Sequence, residues 1–173
     1  MLQNFGQVLD EAAAKEMKAP DRKLVDRYVT EHTSDLLRTW ATEYPFEFYL
    51  DGVVVRGRAD VIYDEAADGS PSRLTLVDYK TATGIGSPMQ LQVYAEAGLR
   101  EGLAVDNAFI EDMSAGERQL VPVDPGALAG AQSTVIAAAT SLRAGDFTSK
   151  PEKAKCGLCD VRLICAASAS KRA

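Results

Sequence analysis

The sequence predicts an α/β fold in which helices flank a central mixed sheet, and three observations predict it. Apolar residues recur with a helical period through about the first forty residues. Between residues 46 and 81 the period changes to two, as in strands. A helix start at Ser87 and two further strand patterns follow, so the predicted order is α, α, β, β, β, α, β, β, α.

Two helices open this order. The first covers residues 4 to 17, and Pro20 separates it from the second. The second runs from Asp21 to about Trp40, because apolar and aromatic residues recur there every four positions. His32, the only histidine, lies on this stripe, and we interpret it as a packing residue in preference to a catalytic one.

Three strands follow the helices. Residues 46 to 50 and 53 to 63 are joined by Asp51-Gly52, a dipeptide that is typical of tight hairpins. A loop rich in Gly, Ser, Pro and Asp then leads to a strand over residues 74 to 81. The hairpin and the third strand together predict the first half of the sheet.

The third strand carries the feature on which the functional prediction depends. Its apolar face ends in Asp78 and Lys80, because alternate strand residues point to the same side. Burying an ion costs several kcal/mol unless it is paired or binds metal, so a strand-end ion pair is the simplest alternative. Asp60 shares a face with Arg56 and Arg58, and a cross-strand ion pair would explain it. Together, two carboxylates and a lysine would suit a divalent cation that acts on a phosphodiester.

The remaining elements complete the sheet and its helical cover. Ser87-Pro88-Met89-Gln90 predicts a helix start with a capping box. Gln90 and Tyr94 share a face of this helix, although a cap alone would explain the first and core packing the second. The later elements are two strands, an alanine-rich helix and an irregular basic tail, at residues 105 to 113, 117 to 123, 126 to 143 and 146 to 173.

Composition limits the class of protein. The 173 residues carry a net charge of -6, which argues against a surface that is entirely a nucleic-acid footprint. Residues 150 to 173 hold six Lys and Arg against two acidic residues, so we expect a phosphate-facing surface to involve this tail. We find no signal peptide and no run of 18 apolar residues, and we expect a cytoplasmic protein without a membrane partner.

Three cysteines lie close together near the C-terminus. Cys156, Cys159 and Cys165 are odd in number and clustered, which favours metal ligands over disulfides. We assign residues 1 to 145 to the core and residues 146 to 173 to a cysteine-bearing tail of the same structural domain.

The motifs Gly57-x-x-Asp60, Asp78-Tyr79-Lys80 and Gln90-x-x-x-Tyr94, in this order, resemble the RecB-like branch of the PD-(D/E)XK nuclease superfamily. The resemblance implies a restriction-endonuclease-like α-β-β-β-α-β core. It also implies a metal-dependent DNA nuclease, of exonuclease type, in recombination, repair or CRISPR-related processing, with DNA and a helicase domain as partners. The alternative is a catalytically inactive RecB-like module that binds DNA ends or proteins.

The resemblance also implies a role for each motif residue. Asp60 and Asp78 would bind Mg²⁺ or Mn²⁺ with the backbone carbonyl of Tyr79, and Lys80 would be the catalytic lysine. Glu47 is a secondary candidate, because relatives often carry a glutamate on that strand. Two residues of the following helix would orient the DNA or the site, namely Gln90 and Tyr94.

Two departures from the family pattern matter. Relatives carry a histidine metal ligand four residues after a glycine of the first helix, and here Asp10 follows Gly6 at that spacing. Asp10 is therefore either an oxygen ligand or an ordinary surface residue. The three cysteines resemble those of relatives with a [4Fe-4S] cluster, but such a site needs four thiolates, so the cluster would be incomplete. A three-cysteine zinc site in a catalytically silent interaction domain is the remaining alternative.

Overall fold

The structure is a computed structural model that describes residues 19 to 66, 73 to 81 and 86 to 169. The predicted first helix, with Asp10, lies outside the described residues. The described helices and strands, in chain order, are α1 (Ala19–Glu31), α2 (Thr33–Leu36), β1 (Thr39–Leu50), β2 (Val53–Asp64), β3 (Leu74–Lys80), α3 (Pro88–Arg100), β4 (Val105–Asp112), β5 (Glu117–Val121), α4 (Pro125–Arg143) and α5 (Lys153–Leu158).

Five strands form one sheet in the order β1-β2-β3-β4-β5. Neighbouring strands are antiparallel except for β3 and β4, which are parallel. A parallel pair needs a crossover connection, and α3 lies in the connection between these two strands. The predicted α/β fold with a central mixed sheet is confirmed.

The second predicted helix ends earlier than predicted. Helix α1 ends at Glu31, and Trp40 lies in β1, which continues through Pro45 instead of starting after it. Because β1 is the edge strand of the sheet, Pro45 can occupy it without removing a hydrogen bond from a central ladder. The helical prediction for Trp40 was wrong because pairing with β2 already begins at Thr39.

The turn between β1 and β2 is the one that the sequence predicts. Asp51 and Gly52 have positive φ angles of 43° and 78°, as a tight hairpin requires. The two strands pair from this turn back to Thr39, whereas β2 and β3 pair only over residues 61 to 64 and 74 to 77. The β2–β3 ladder therefore stops just before Asp60 and Asp78.

The two faces of the sheet pack against different partners. Leu74 and Leu76 of β3 belong to one cluster with Leu91 of α3. Val77 belongs to a second cluster, against which Tyr79 packs. This confirms the predicted alternation along β3 and places Asp78 on the side of the sheet that α3 covers.

Phe46 covers Gly57 across the β1–β2 ladder. The two residues are direct partners, and a Cβ at position 57 would collide with the Phe46 ring. We expect Gly57→Ala to lower the free energy of unfolding by about 1 to 3 kcal/mol, because Phe46 would have to move. Chemical denaturation measures this. Gly130→Ala is the control, since a Cβ there meets nothing within 4 Å, and an equal loss in both variants would contradict the prediction.

The chain divides into two compact units, Met1–Thr134 and Val135–Ala173, and the division falls within α4. The first unit contains the whole sheet. The second unit contains α5. The sequence predicted an irregular tail, and for the residues of this helix that prediction was wrong. The predicted boundary after residue 145 stays a prediction. Within the described ranges, no helix is long and apolar enough to cross a membrane.

Candidate active site

Asp60 and Asp78 lie on neighbouring strands, just beyond the end of the ladder that joins them. The Asp60 carboxylate accepts a hydrogen bond from the backbone N–H of Tyr79, with an Oδ2 to N distance of 3.0 Å. Asp60 is therefore bonded to the residue that directly follows Asp78. Asp60 and Asp78 thus lie close together at the point where the bond from the Tyr79 N–H to the Asp60 side chain takes the place of a main-chain bond between the strands.

The arginines of β2 do not explain Asp60. Arg56 pairs with Glu47 of β1, and Arg58 pairs with Glu43 of the same strand. Both pairs are largely exposed to solvent, where ion pairs contribute little to stability. Glu47, the secondary candidate, thus serves as the partner of an arginine.

Asp78 is a buried carboxylate, only 2% exposed. Lys80 Nζ lies 2.6 Å from its Oδ2, and Gln90 Nε2 donates to its Oδ1 at 3.0 Å. Burial raises the pKa of Asp78, Lys80 opposes this rise, and the nearby charge of Asp60 adds to it. Because the anion is disfavoured in spite of the lysine, the site favours a further cation.

Lys80 is held in place by backbone on both sides. Its carbonyl accepts a hydrogen bond from Met113 N at 2.9 Å. A Cβ at Gly86 would lie 2.8 Å from Lys80 Cε, so a larger residue at position 86 would require the end of the lysine side chain to shift. Sequence analysis missed Gly86, and its place directly before Ser87 was the available signal.

Gln90 and Tyr94 share the face of α3 that points to Asp78. The Gln90 amide lies 2.6 Å from the Tyr94 hydroxyl. Ser87 makes no side-chain capping bond, so the predicted capping box was wrong, because the Gln90 side chain turns towards Asp78 instead. Burial raises the pKa of Tyr94, which keeps its hydroxyl protonated at neutral pH.

Phe46 supports Tyr94 from the first strand. The two rings are 4.9 Å apart between centroids, in an edge-to-face arrangement. The same Phe46 ring covers Gly57. Phe46 therefore contacts both Gly57 and Tyr94, and the Tyr94 hydroxyl in turn bonds to Gln90. Sequence analysis missed Phe46, although the hairpin register set by Asp51-Gly52 already places it opposite Gly57.

The cysteines lie in the second unit. Cys156, Cys159 and Cys165 are free thiols with intermediate exposure. In the part of the chain that the structure describes, no three or more His, Cys, Asp and Glu side chains are gathered to hold a metal ion. The thiols as placed therefore do not fit the iron–sulfur or zinc site that the sequence suggested.

Asp60 and Asp78 are two carboxylates and so do not form such a group by themselves, but with a backbone carbonyl their chemistry suits a divalent ion. Asp60 and Asp78 are carboxylates, and the backbone carbonyl of Tyr79 lies between Asp78 and Lys80 in the chain. Mg²⁺ and Mn²⁺ prefer such oxygen ligands. The two carboxylates also lie close enough for the charge of one to raise the pKa of the other, and a divalent cation would remove that repulsion.

Known proteins resemble this chain in sequence and in fold. A family model described as the PD-(D/E)XK nuclease superfamily matches residues 3 to 166. The Gene 69 protein of Mycobacterium phage L5 is 32% identical over 133 residues, which cover 72% of this chain and 44% of that protein. The chain thus spans less than half the length of this relative.

The fold is also found among solved structures. The crystal structure of a candidate exonuclease from Eubacterium rectale aligns with a TM-score of 0.54 and 14% sequence identity. The alignment covers 91% of this chain and 70% of that chain. At this level of identity, the likeness is one of fold.

Proposed function

The chain belongs to the PD-(D/E)XK nuclease superfamily, and from this membership we propose that it hydrolyses phosphodiester bonds of DNA with the help of Mg²⁺ or Mn²⁺. One observation carries the proposal. The buried carboxylate of Asp78 is bonded on one oxygen by Lys80 and on the other by Gln90, beside Asp60. The end of the central strand β3 has no structural need for this costly arrangement.

Each residue has a distinct part in the proposed reaction. Asp60 and Asp78 would hold the metal ion with the Tyr79 carbonyl, while Gln90 keeps Asp78 in one orientation through its amide. When bound, the ion would supply Lewis acidity and lower the pKa of water. The Lys80 ammonium, 29% exposed and beside Asp78, donates hydrogen bonds to the attacking oxygen or to the phosphate oxygens as their charge develops.

We propose that the protein belongs to the RecB-like branch and acts as an exonuclease. The glycine of Gly57-x-x-Asp60 and the pair Gln90-x-x-x-Tyr94 support this branch, because the first packs on Phe46 and the second reaches Asp78. The net charge of -6 favours delivery of DNA by a helicase domain or another partner, in repair or CRISPR-related processing. We interpret Cys156, Cys159 and Cys165 as the remnant of an iron–sulfur set.

Cleavage of labelled DNA tests the proposal. Linear single-stranded and double-stranded DNA and a closed circle are incubated with the protein and Mn²⁺ or Mg²⁺, with a chelator as the blank. We expect the linear molecules to be shortened from an end while the circle persists. Asp106→Asn is the acidic control for Asp78→Asn, since Asp106 forms an exposed ion pair with Arg73. DNA binding without cleavage by the parent would instead indicate the inactive RecB-like module.

A further inference from the structure

Three tyrosine hydroxyls meet on the face of the sheet that lies opposite α3. The Tyr79 hydroxyl is 2.6 Å from that of Tyr63 and 3.0 Å from that of Tyr28, and these two are 3.2 Å apart. Three hydroxyls at these distances can form a closed ring in which each donates one hydrogen bond and accepts one. The ring joins α1, β2 and β3, and we call it the tyrosine ring.

The tyrosine ring places polar groups among mostly buried side chains. Tyr28 and Tyr63 are both buried, and Tyr79 is partly buried. Buried polar groups without partners are costly, so each hydroxyl depends on the other two.

Tyr79 is the member that reaches the candidate active site. It stands between Asp78 and Lys80 in β3, and its backbone N–H donates to the Asp60 carboxylate at 3.0 Å. Because side chains alternate along a strand, the side chain of Tyr79 points away from the site while those of Asp78 and Lys80 point into it. The position of this one residue therefore affects three charged groups of the site.

The main chain does not hold Tyr79 against β2. The β2–β3 ladder ends at the pair Val61 and Val77, and on its other side β3 remains paired with β4. Two bonds of Tyr79 continue the connection to β2: its backbone N–H donates to the Asp60 carboxylate, and its hydroxyl bonds to the Tyr63 hydroxyl. The tyrosine ring thus links the strands where the ladder is missing.

Helix α1 also contacts the residues around Tyr79 and Lys80. Tyr28 stacks on His32, with 4.5 Å between the ring centroids. Arg27, the residue before Tyr28, donates to the carbonyl of Met113, whose own N–H bonds the Lys80 carbonyl. The helix therefore contacts both the Tyr79 side chain and the backbone support of Lys80.

We propose that Tyr28 and Tyr63 are positioning residues of the candidate active site, and that their hydroxyls hold Tyr79 so that its peptide keeps Asp60 beside Asp78 and Lys80. Neither residue touches the reacting atoms. The catalytic consequence of this inference depends on the proposed nuclease function, whereas the structural link does not.

Removing single hydroxyls tests the inference. In Tyr28→Phe and Tyr63→Phe we expect kcat for DNA cleavage to fall about tenfold with KM unchanged, as for residues that support a catalytic group. The two changes together should cost little more than one, because either opens the same ring. Tyr44→Phe is the control: it removes a hydroxyl that donates to Glu101 at 3.0 Å.

Hydrogen exchange provides a measurement that needs neither metal nor DNA. In both variants of the tyrosine ring, exchange at the Tyr79 amide should accelerate severalfold relative to Val77, which lies in the paired part of β3. A general loss of stability would accelerate both amides alike. Tyr44→Phe should change neither relative to the other.

The outcomes distinguish the structural link between the tyrosine ring and Asp60 from its effect on catalysis. Equal exchange at the Tyr79 amide in all variants would overturn the inference, even if the parent cleaves DNA. Selective acceleration with unchanged kcat in an active parent would overturn the positioning role in catalysis. If the parent cleaves no DNA but the variants show selective acceleration at the Tyr79 amide, the proposed function is overturned. The link between the tyrosine ring and Asp60 then still holds.

Discussion

Asp78→Asn is expected to lower DNA cleavage about 10³-fold and, at the same time, to raise the free energy of unfolding at neutral pH. The activity falls because a carboxylate that we propose as a metal ligand becomes a neutral amide. The stability rises because burial raises the pKa of Asp78, which means that the folded state disfavours the ionised carboxyl. The amide that replaces this carboxyl carries no charge into the buried site, and its oxygen still accepts the bond from Gln90.

The pH dependence of stability distinguishes this explanation from others. The folded protein binds more protons at Asp78 than the unfolded chain at pH values between the ordinary and the raised pKa. In the parent, the contribution of Asp78 to the free energy of unfolding therefore declines as the pH rises through that window and stays low above it. Asp78→Asn removes this decline.

Denaturation of parent and variant in parallel, from acid to neutral pH, measures the difference. It should grow with pH and persist at neutral pH. Asp106→Asn should show no such growth, because the ion pair of Asp106 with Arg73 is exposed. A lower stability of Asp78→Asn at neutral pH would mean that Asp78 serves the fold through its ion pair.

Lys80→Ala should also abolish most of the cleavage, by about 10²- to 10³-fold, but with the opposite effect on stability. Removal of the ammonium leaves the buried carboxylate of Asp78 with its charge uncompensated. Because Lys80 is partly exposed, we expect a loss of about 1 to 3 kcal/mol in the free energy of unfolding, below the cost for a fully buried pair.

Lys155→Ala is the matched control for this variant. Lys155 lies 2.6 Å from Glu152, the same distance as between Lys80 and Asp78, but its side chain is 73% exposed. Its removal should change stability by less than about 1 kcal/mol. Equal losses in the two variants would show that the burial of Asp78 does not matter.

The double variant Asp78→Asn/Lys80→Ala connects the two predictions. Once the carboxylate is neutral, removal of the lysine no longer leaves a buried charge. The double variant should therefore be more stable than Lys80→Ala alone, while cleavage stays absent. Additive stability changes would contradict a direct interaction between the two side chains.

Turn chemistry and strand alternation made much of the fold predictable. Asp51-Gly52 sets the register of the first hairpin, and the alternation along β3 separates Leu76 from Val77. The end of α1 was not predictable in the same way. Trp40 continues the helical stripe, yet the residues on either side of it, Thr39 and Ala41, pair with β2, and no local pattern reports the free energy of that pairing.

The site was predictable where it depends on the strands and not where it depends on packing. Asp78 and Lys80 follow from the period of two in β3. The side-chain direction of Gln90 did not follow, because a cap and a bond to Asp78 require the same residue at the same spacing. The tyrosine ring also escaped prediction, since its members lie 16 to 51 residues apart in the chain.

Titration calorimetry of Mn²⁺ binding to the parent and to Asp60→Asn tests the central claim most directly. The claim is that Asp60 and Asp78 together form a divalent-metal site beside Lys80. It predicts that the parent binds Mn²⁺, that Asp60→Asn and Asp78→Asn lose this binding, and that Asp106→Asn retains it. Equal binding by the parent and Asp60→Asn, or no binding by a folded parent, would contradict it.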